Sequence, residues 1–454
     1  MDLLDQQFSR TELLHTTTTT TYVLLICNYL QVTNPMALLV VNTLAHYIVT
    51  ITRTNTFGWT LLVLAVFSFA SQCLRHRSPW KGRSARVQAR SQSLEGSKYS
   101  EKSRKPENSR KPDKPENSRK PEKPGKPENS RSTEEPNTVI DQAPMIVDGF
   151  RFIVSSLVCI SIFSCDFNIY PMHKLKSQYF GMSLMDFGVV SYMFNAGILC
   201  GIKHRFRAQK TLYMVVMGLI RLGVLQSGYH SDPTEYGVHL NFYFVYLITE
   251  NFSLLFKQVH PLIASAFLFA AHEALVLKDG FIDYVFYAGR NTFISANREG
   301  LISIVPYAGV LFLGKYVGGI VFKKHLAIRQ KGLYMLYLSF ALFALHFICS
   351  LYLAPSRRLN TLSFSSFTTA AVLSPLGLMT LLSTAYPIPE INHLRGVGRY
   401  MGPQFLLSNV YVLIGNLLFD WRSLSTVPAH VVNLGYMAGL FVIPVVIKTR
   451  CLKS

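Results

Sequence analysis

Residues 165–197, CDFNIYPMHKLKSQYFGMSLMDFGVVSYMFNAG, decide how the chain is read. Before them an apolar run, MIVDGFRFIVSSLVCISIF, ends abruptly at Asp166, and the chain turns apolar again at Phe187. Between lies a polar connector carrying Lys174, Lys176 and Asp186. Apolar runs of ~17–25 residues are long enough to cross ~30 Å of hydrocarbon. If the flanking runs do so, these ionisable groups sit where membrane meets water, and there charge is tolerable and can face a lipid headgroup. The connector therefore reads as one wall of an active site.

Outward from it, the composition supports a membrane setting. Of 454 residues, 49% are hydrophobic and only 15% charged, against ~25% charged in an ordinary soluble domain. The net charge of +20 would suggest nucleic acid in a soluble chain. Here the basic residues fall mainly in connectors, which points to membrane orientation and away from a nucleic-acid partner. The expected fold is an all-α polytopic membrane protein embedded in the lipid bilayer. Seven cysteines show no metal-ligand spacing, so no metal site and no bound cofactor are expected.

Three regions follow. Residues 1–74 hold N-terminal transmembrane segments at about Met36–Thr52 and Phe57–Cys73, with YVLLICNYL a borderline third. No cleavable leader is evident, so the first spans are expected to act as the insertion signal. Residues 75–144 carry an imperfect Lys-Pro-Glu-Asn-Ser repeat, basic and proline-rich, which reads as a disordered linker. Residues 145–454 form the transmembrane catalytic domain. Its spans lie at about Met145–Cys165, Leu184–Ile202, Leu212–Gln226, Val238–Phe256, Leu262–Leu277, Ile302–Phe322, Leu333–Leu353, Phe364–Tyr386, Phe405–Asp420 and Val431–Ile447. The total is about 12–13 transmembrane helices.

Alternate connectors are basic: the linker, KHRFRAQK, FKKHLAIRQK and the C-terminal KTRCLKS. By the positive-inside rule these are cytosolic. The connectors DFNIYPMHKLKSQYFGMSLMD, QSGYHSDPTEYGVH, KDGFIDYVFYAGRNTFISANREG and APSRRLN then share the other face, although the last is itself basic and breaks the pattern.

Several groups could carry chemistry. Acylating a hydroxyl needs a base to take its proton and positive charge near the thioester oxyanion. Asp166 and Lys176 supply that pair, set against the bland alternative of surface charges at a helix end. Arg290, Asn291, Asn297, Arg298 and Glu299 in GRNTFISANREG could hold a phosphate or sugar hydroxyls, or serve as interfacial anchors. In HSDPTEYGVHLN, His230, Asp232, Glu235, His239 and Asn241 could suggest a metal, but a capped loop entering a helix fits the spacing better. Arg221 and His272-Glu273 lie inside apolar runs and are expected to face an interior cavity.

At these residues the sequence resembles the GPI inositol acyltransferase family, of the PIG-W or GPI-anchored wall transfer type. Asp166, Phe167, Pro171, Lys176, Gly181, Ser183 to Asp186, Gly188 and Val189 match its first motif without gaps. LIRL at Leu219–Leu222 with EYGVHLNFY at Glu235–Tyr243 matches a second, and Arg290, Ala296–Gly300, Ser303 and Tyr307 a third. After Gln330 only Asn409 is faintly similar. Lys174 stands where the family has an aromatic residue, so either lysine could hold the functional amine.

The resemblance implies an endoplasmic reticulum enzyme that moves a palmitoyl group from acyl-CoA to the inositol 2-OH of glucosaminyl-phosphatidylinositol. Acyl-CoA is then a co-substrate, and the motif connectors are luminal. Asp166 is the implied base and Lys176 the cation near the acyl donor. Asp186, Arg221, Glu235, His239, Asn241, Arg290, Asn291, Asn297, Arg298 and Glu299 are the implied binding and orienting residues. Oligomeric state is open. The rival readings are a lipid transporter or flippase, using Arg221, Glu250 and His272-Glu273 along a path, and an inactive scaffold of the same family.

Overall fold

The computed structural model describes residues 35–51, 143–200, 208–226, 233–384 and 401–442, with Thr19 and Val23 besides. All of these belong to one compact unit, Met1–Ser68 with Gln142–Ser454. The expected span Phe57–Cys73, the segment YVLLICNYL except Val23, nearly all of the linker, His230 and Asp232 lie outside the described residues. Among the described residues there is no strand.

Thirteen α-helices are described: α1 (Pro35–Ile51), α2 (Ala143–Ser164), α3 (Phe187–Cys200), α4 (Ala208–Gln226), α5 (Phe242–Ser253), α6 (Pro261–Val276), α7 (Phe281–Tyr287), α8 (Phe293–Ala296), α9 (Arg298–Val321), α10 (Ile328–Cys349), α11 (Leu362–Leu382), α12 (Met401–Leu418) and α13 (Thr426–Met437). Each clear expected span with described residues overlaps one of them. Five are long and apolar enough to cross a membrane: α2, α9, α10, α11 and α12.

The largest departure is at α5 and α6. The apolar runs there read as two separate spans, but the helices are joined through a short 3₁₀ turn and bent by 119°. Their 12 and 16 residues reach only about 18 and 24 Å at ~1.5 Å per residue. The outer ends of both arms meet the same group of connectors. Leu240, just before the Asn241 cap of α5, donates its N–H to Asn297 Oδ1, while His272 and Glu273 near the end of α6 bond Leu359 O and Leu362 N. Pro261 at the first turn of α6 suits the sharp restart, since its missing N–H is unneeded there.

α9 runs through the middle of the bundle and packs on α3, α5 and α6. Beyond its charged first turn it is largely apolar around its circumference, as suits a helix packed mostly against protein. Close approach comes from glycine: a Cβ on Gly314 or Gly318 would collide with the α3 backbone at Phe194 and Ile198, and one on Gly197 with Leu311 O. Small residues of this kind let helices in a membrane pack backbone to backbone. α11 is buried too, and its hydroxyls bond within the helix: Ser366, Thr368, Ser374 and Thr380 donate to carbonyls four residues back. Ser339 of α10 ties α10 to α11 through Ser374 Oγ at 2.8 Å.

The connectors 165–186, 233–241, 277–297, 350–361 and 419–425 meet on one face of the bundle, through the contacts described below. At the opposite ends Lys210 pairs with Glu250 at 2.8 Å, and Lys331 Nζ donates to Val321 O at 2.7 Å.

The glycine contact makes a signed prediction. Alanine in a helix interior normally adds about 0.5–1 kcal/mol over glycine. Gly319→Ala, which meets nothing within 4 Å, should match or slightly exceed the native melting temperature in detergent. Gly314→Ala should lower it by several degrees; equal melting of the two variants would refute the packing.

Candidate functional site

A cavity of about 280 Å³ opens where the connectors meet. One face of α2 lines it, from Leu157, Val158, Ser161 and Ile162 to Cys165 and Asp166, together with the first turn of α3, Arg221 of α4, the start of α5 and Phe405, Asn409, Val412 and Leu413 of α12. From Leu157 to Ser164 the helix rises about 10 Å at ~1.5 Å per residue, and Cys165 and Asp166 follow in the turn. The cavity's deeper part is apolar, with Leu157, Val158, Ile162, Val189 and Phe405. Its connector end is polar, with Asp166, Lys176, Glu235 and Asn241.

The two sequence-derived catalytic candidates both line this cavity, but they are not paired with each other. Lys176 pairs with Glu235 at 2.7 Å, and both side chains are part-exposed to the cavity. Asp166 accepts from Asn416 Nδ2 at 2.9 Å, a bond that α12 reaches across to make. Burial pushes the Asp166 carboxyl above its ordinary range, with the Asn416 bond and the charge of Arg422 opposing. For Glu235, burial works upward but Lys176 and Arg357 outweigh it, and the carboxyl is held below its ordinary range. The polar end thus combines one carboxylate whose pKa burial raises with a second whose pKa neighbouring cations lower.

Lys174 points elsewhere. It is buried, and its Nζ donates to Val49 O and Thr50 O at 2.8 and 3.2 Å. A cation on the last carbonyls of α1 satisfies groups that the helix end leaves open.

Behind the cavity lies a buried lattice of charge. Asp186 accepts from Ser177 N, Ser177 Oγ and Ser183 N, and pairs with Arg357 at 3.0 Å. Burial drives the Asp186 carboxyl upward against the pull of Arg357 and these donors. Glu299, in the first turn of α9, gathers Arg290, Arg298 and Arg358. Arg298 also donates to the carbonyls of Val285, Ala288 and Gly289. Asn297 accepts from His239 N and Leu240 N, and its Nδ2 lies 3.1 Å from His239 Nδ1, locking the second motif to the third. Gly237 there has φ 110 and abuts Asn297, a conformation and a space that suit glycine.

The GWT1 family profile matches residues 8–447. The chain belongs to the GWT1 family. It is similar to GPI-anchored wall transfer protein 1 of Kluyveromyces lactis, 29% identical over 64% of this chain and 70% of that protein. It is likewise similar to GPI-anchored wall transfer protein 1 of Candida glabrata, 33% identical over 36% of this chain and 38% of that protein. The mouse glucosaminyl-phosphatidylinositol-acyltransferase PIGW is 29% identical over 51% of each. Apart from the Kluyveromyces protein, the matches with these relatives span about half of their length or less.

In this GWT1-family chain the sequence-derived residues divide into two sets. Asp166, Lys176, Arg221, Glu235 and Asn241 line the cavity. Asp186, His239, Arg290, Asn297, Arg298 and Glu299 belong to the network that holds the connectors together, and Asn291 is exposed beside Gly289. Three residues that sequence reasoning passed over complete the site. Asn416 holds Asp166, and Arg357 and Arg358 bind Asp186 and Glu299. The arginines had a signal: the basic connector APSRRLN was the one exception to charge alternation. Both are buried and paired with carboxylates of other connectors, so they add no free positive charge to that face.

Removing one partner of a buried ion pair costs about 3–5 kcal/mol, because the other charge is stranded. Glu299→Gln should therefore lower the melting temperature sharply, leaving three arginines without their carboxylate. Adding Arg358→Met to Glu299→Gln should cost less than Arg358→Met does alone, and strictly additive losses would disprove the coupling.

Proposed function

We propose that this protein is an O-acyltransferase that moves a long-chain acyl group, palmitoyl by preference, from acyl-CoA to the inositol 2-OH of glucosaminyl-phosphatidylinositol. The observation that carries this reading is the sorted cavity, apolar along α2, α3 and α12 and polar where Asp166 and the Lys176–Glu235 pair stand. Family membership and the printed name of the mouse relative support acyl transfer in GPI-anchor biosynthesis. The setting is the endoplasmic reticulum membrane, with the motif connectors luminal and the linker and C-terminus cytosolic.

Asp166 takes the proton of the inositol hydroxyl as its oxygen attacks the thioester carbonyl. Asn416 fixes the carboxylate for this step. Lys176, steadied by Glu235, faces the negative charge that develops on the carbonyl oxygen. Collapse of the tetrahedral intermediate breaks the C–S bond and expels the CoA thiolate, which takes up the inositol proton from Asp166 and regenerates the base. Arg221, on the same cavity wall, offers charge to the phosphodiester. The apolar wall receives the acyl chain.

The test is acyl transfer from labelled palmitoyl-CoA to glucosaminyl-phosphatidylinositol by purified full-length protein. General-base groups contribute about 10²–10⁴-fold, so Asp166→Asn should lose at least ~10²-fold in kcat. Lys176→Ala should fall comparably, and Lys174→Met should lose thermal stability with kcat kept. Full activity in Asp166→Asn would sink the assignment. Absence of product from folded native protein would favour a lipid transporter or an inactive scaffold.

The pH dependence has a definite sign. A base works only when deprotonated, and burial raises the pKa of Asp166. Activity should therefore fail on the acid side at a higher pH than an ordinary carboxylate would allow. Asn416→Ala removes the bond that favours the ionised form and should move that limb higher still.

A further inference from the structure

We propose that Arg357 is a positioning residue for acyl transfer: it fixes the geometry of the Lys176–Glu235 pair from a connector that never enters the cavity. The inference rests on the function proposed above. Its basis is a strap, residues 355–358, that runs along the first motif. Gly181 N donates to Pro355 O at 2.7 Å, Ser356 Oγ donates to Tyr179 O, and Arg358 Nη1 donates to Gln178 O at 3.4 Å. Arg357 then grips the residue next to Lys176 in two ways. Its Nη2 donates to Ser177 O at 3.4 Å, and its guanidinium pairs with Asp186, which itself accepts from Ser177 N and Oγ.

Both sides of Ser177 are thus held by one ion pair, and Lys176 projects from that clamp toward Glu235. The strap is anchored in turn by α6, through His272 on Leu359 O and Glu273 on Leu362 N. Arg357 is buried and absent from the cavity lining, so it acts through other residues. Its charge also reaches Glu235. The groups facing Glu235 are Lys176, Arg357, Arg221, the Tyr236 and Tyr307 hydroxyls and the Cys165 thiol. Those facing Asp186 are Arg357, Ser177 and Ser183, with the Tyr170 and Tyr307 hydroxyls in its field. Loss of Arg357 removes one of three cations near Glu235, so that carboxylate takes up a proton at higher pH and lets Lys176 go.

The experiment compares native protein, Arg357→Gln, Arg357→Lys and Ser177→Ala in the transfer assay across pH. A misplacement of ~1 Å costs about 10²-fold. Arg357→Gln should lose kcat on that scale with KM for the inositol lipid within about 2-fold, and its acid limb should steepen as protonation of Glu235 joins that of Asp166. Arg357→Lys restores the charge and should return the limb to its native form, with kcat only partly recovered. Ser177→Ala should lower kcat several-fold without moving the limb, and it carries the test if Arg357→Gln does not fold. Native kcat and pH profile in Arg357→Gln, or native kcat in Ser177→Ala, would overturn the proposal. Competitive labelling of Lys176 by an amine reagent, read by mass spectrometry, needs no turnover. It should change with Arg357→Gln even if native protein transfers no acyl group. Lack of transfer defeats the proposed function, while unchanged labelling defeats the strap.

Discussion

The ion pairs that the strap makes, Arg357 with Asp186 and Arg358 with Glu299, are the constraint on which the site depends. Helices in a bilayer gain little from hydrophobic burial against one another, because lipid is as apolar as their partners. What specifies their arrangement is therefore steric fit and polar contact. Here the steric part is the glycine seam between α3 and α9, and the polar part sits at the connector face. Two adjacent arginines point to carboxylates of two different motifs and so hold three connectors at once. A buried charge left single is costly, so the three connectors are found together or not at all.

This arrangement explains why motif residues and cavity residues are only partly the same. Asn297, Arg298 and Glu299 look like ligand-binding groups in a one-dimensional reading, since amides and guanidiniums are what sugars and phosphates require. In the fold their donors and acceptors are met by backbone and by each other. The groups that remain turned to the cavity are those whose partners are few: Asp166 with Asn416, and Lys176 with Glu235. The framework positions these side chains without saturating them.

Much of the fold was legible in the sequence, because apolar runs in a membrane chain report helices directly. The runs behind α2, α9, α10, α11 and α12 were read with nearly the observed bounds. The choice between Lys174 and Lys176 was not legible: both stand in one connector two residues apart, and only the placement of α1 shows that Lys174 caps it. Asn416 was hidden for a similar reason, since its partner lies 250 residues away and an isolated asparagine in an apolar run carries no pattern. Arg357 and Arg358 were visible but were read as a charge count, when their meaning lay in pairing.

The bend between α5 and α6 has a consequence for how such chains are mapped. The start of α5 and the end of α6 both meet the connector face, so the pair contributes either two crossings or none, and in each case the parity of the chain is unchanged. Every basic connector keeps its side whether the pair traverses the bilayer or only dips into it. A rule that works by alternation is blind to an even number of omitted steps. Loop charge can therefore assign the sidedness of this protein without fixing its number of crossings, and only the depth reached by the turn at residues 254–260 separates the two cases.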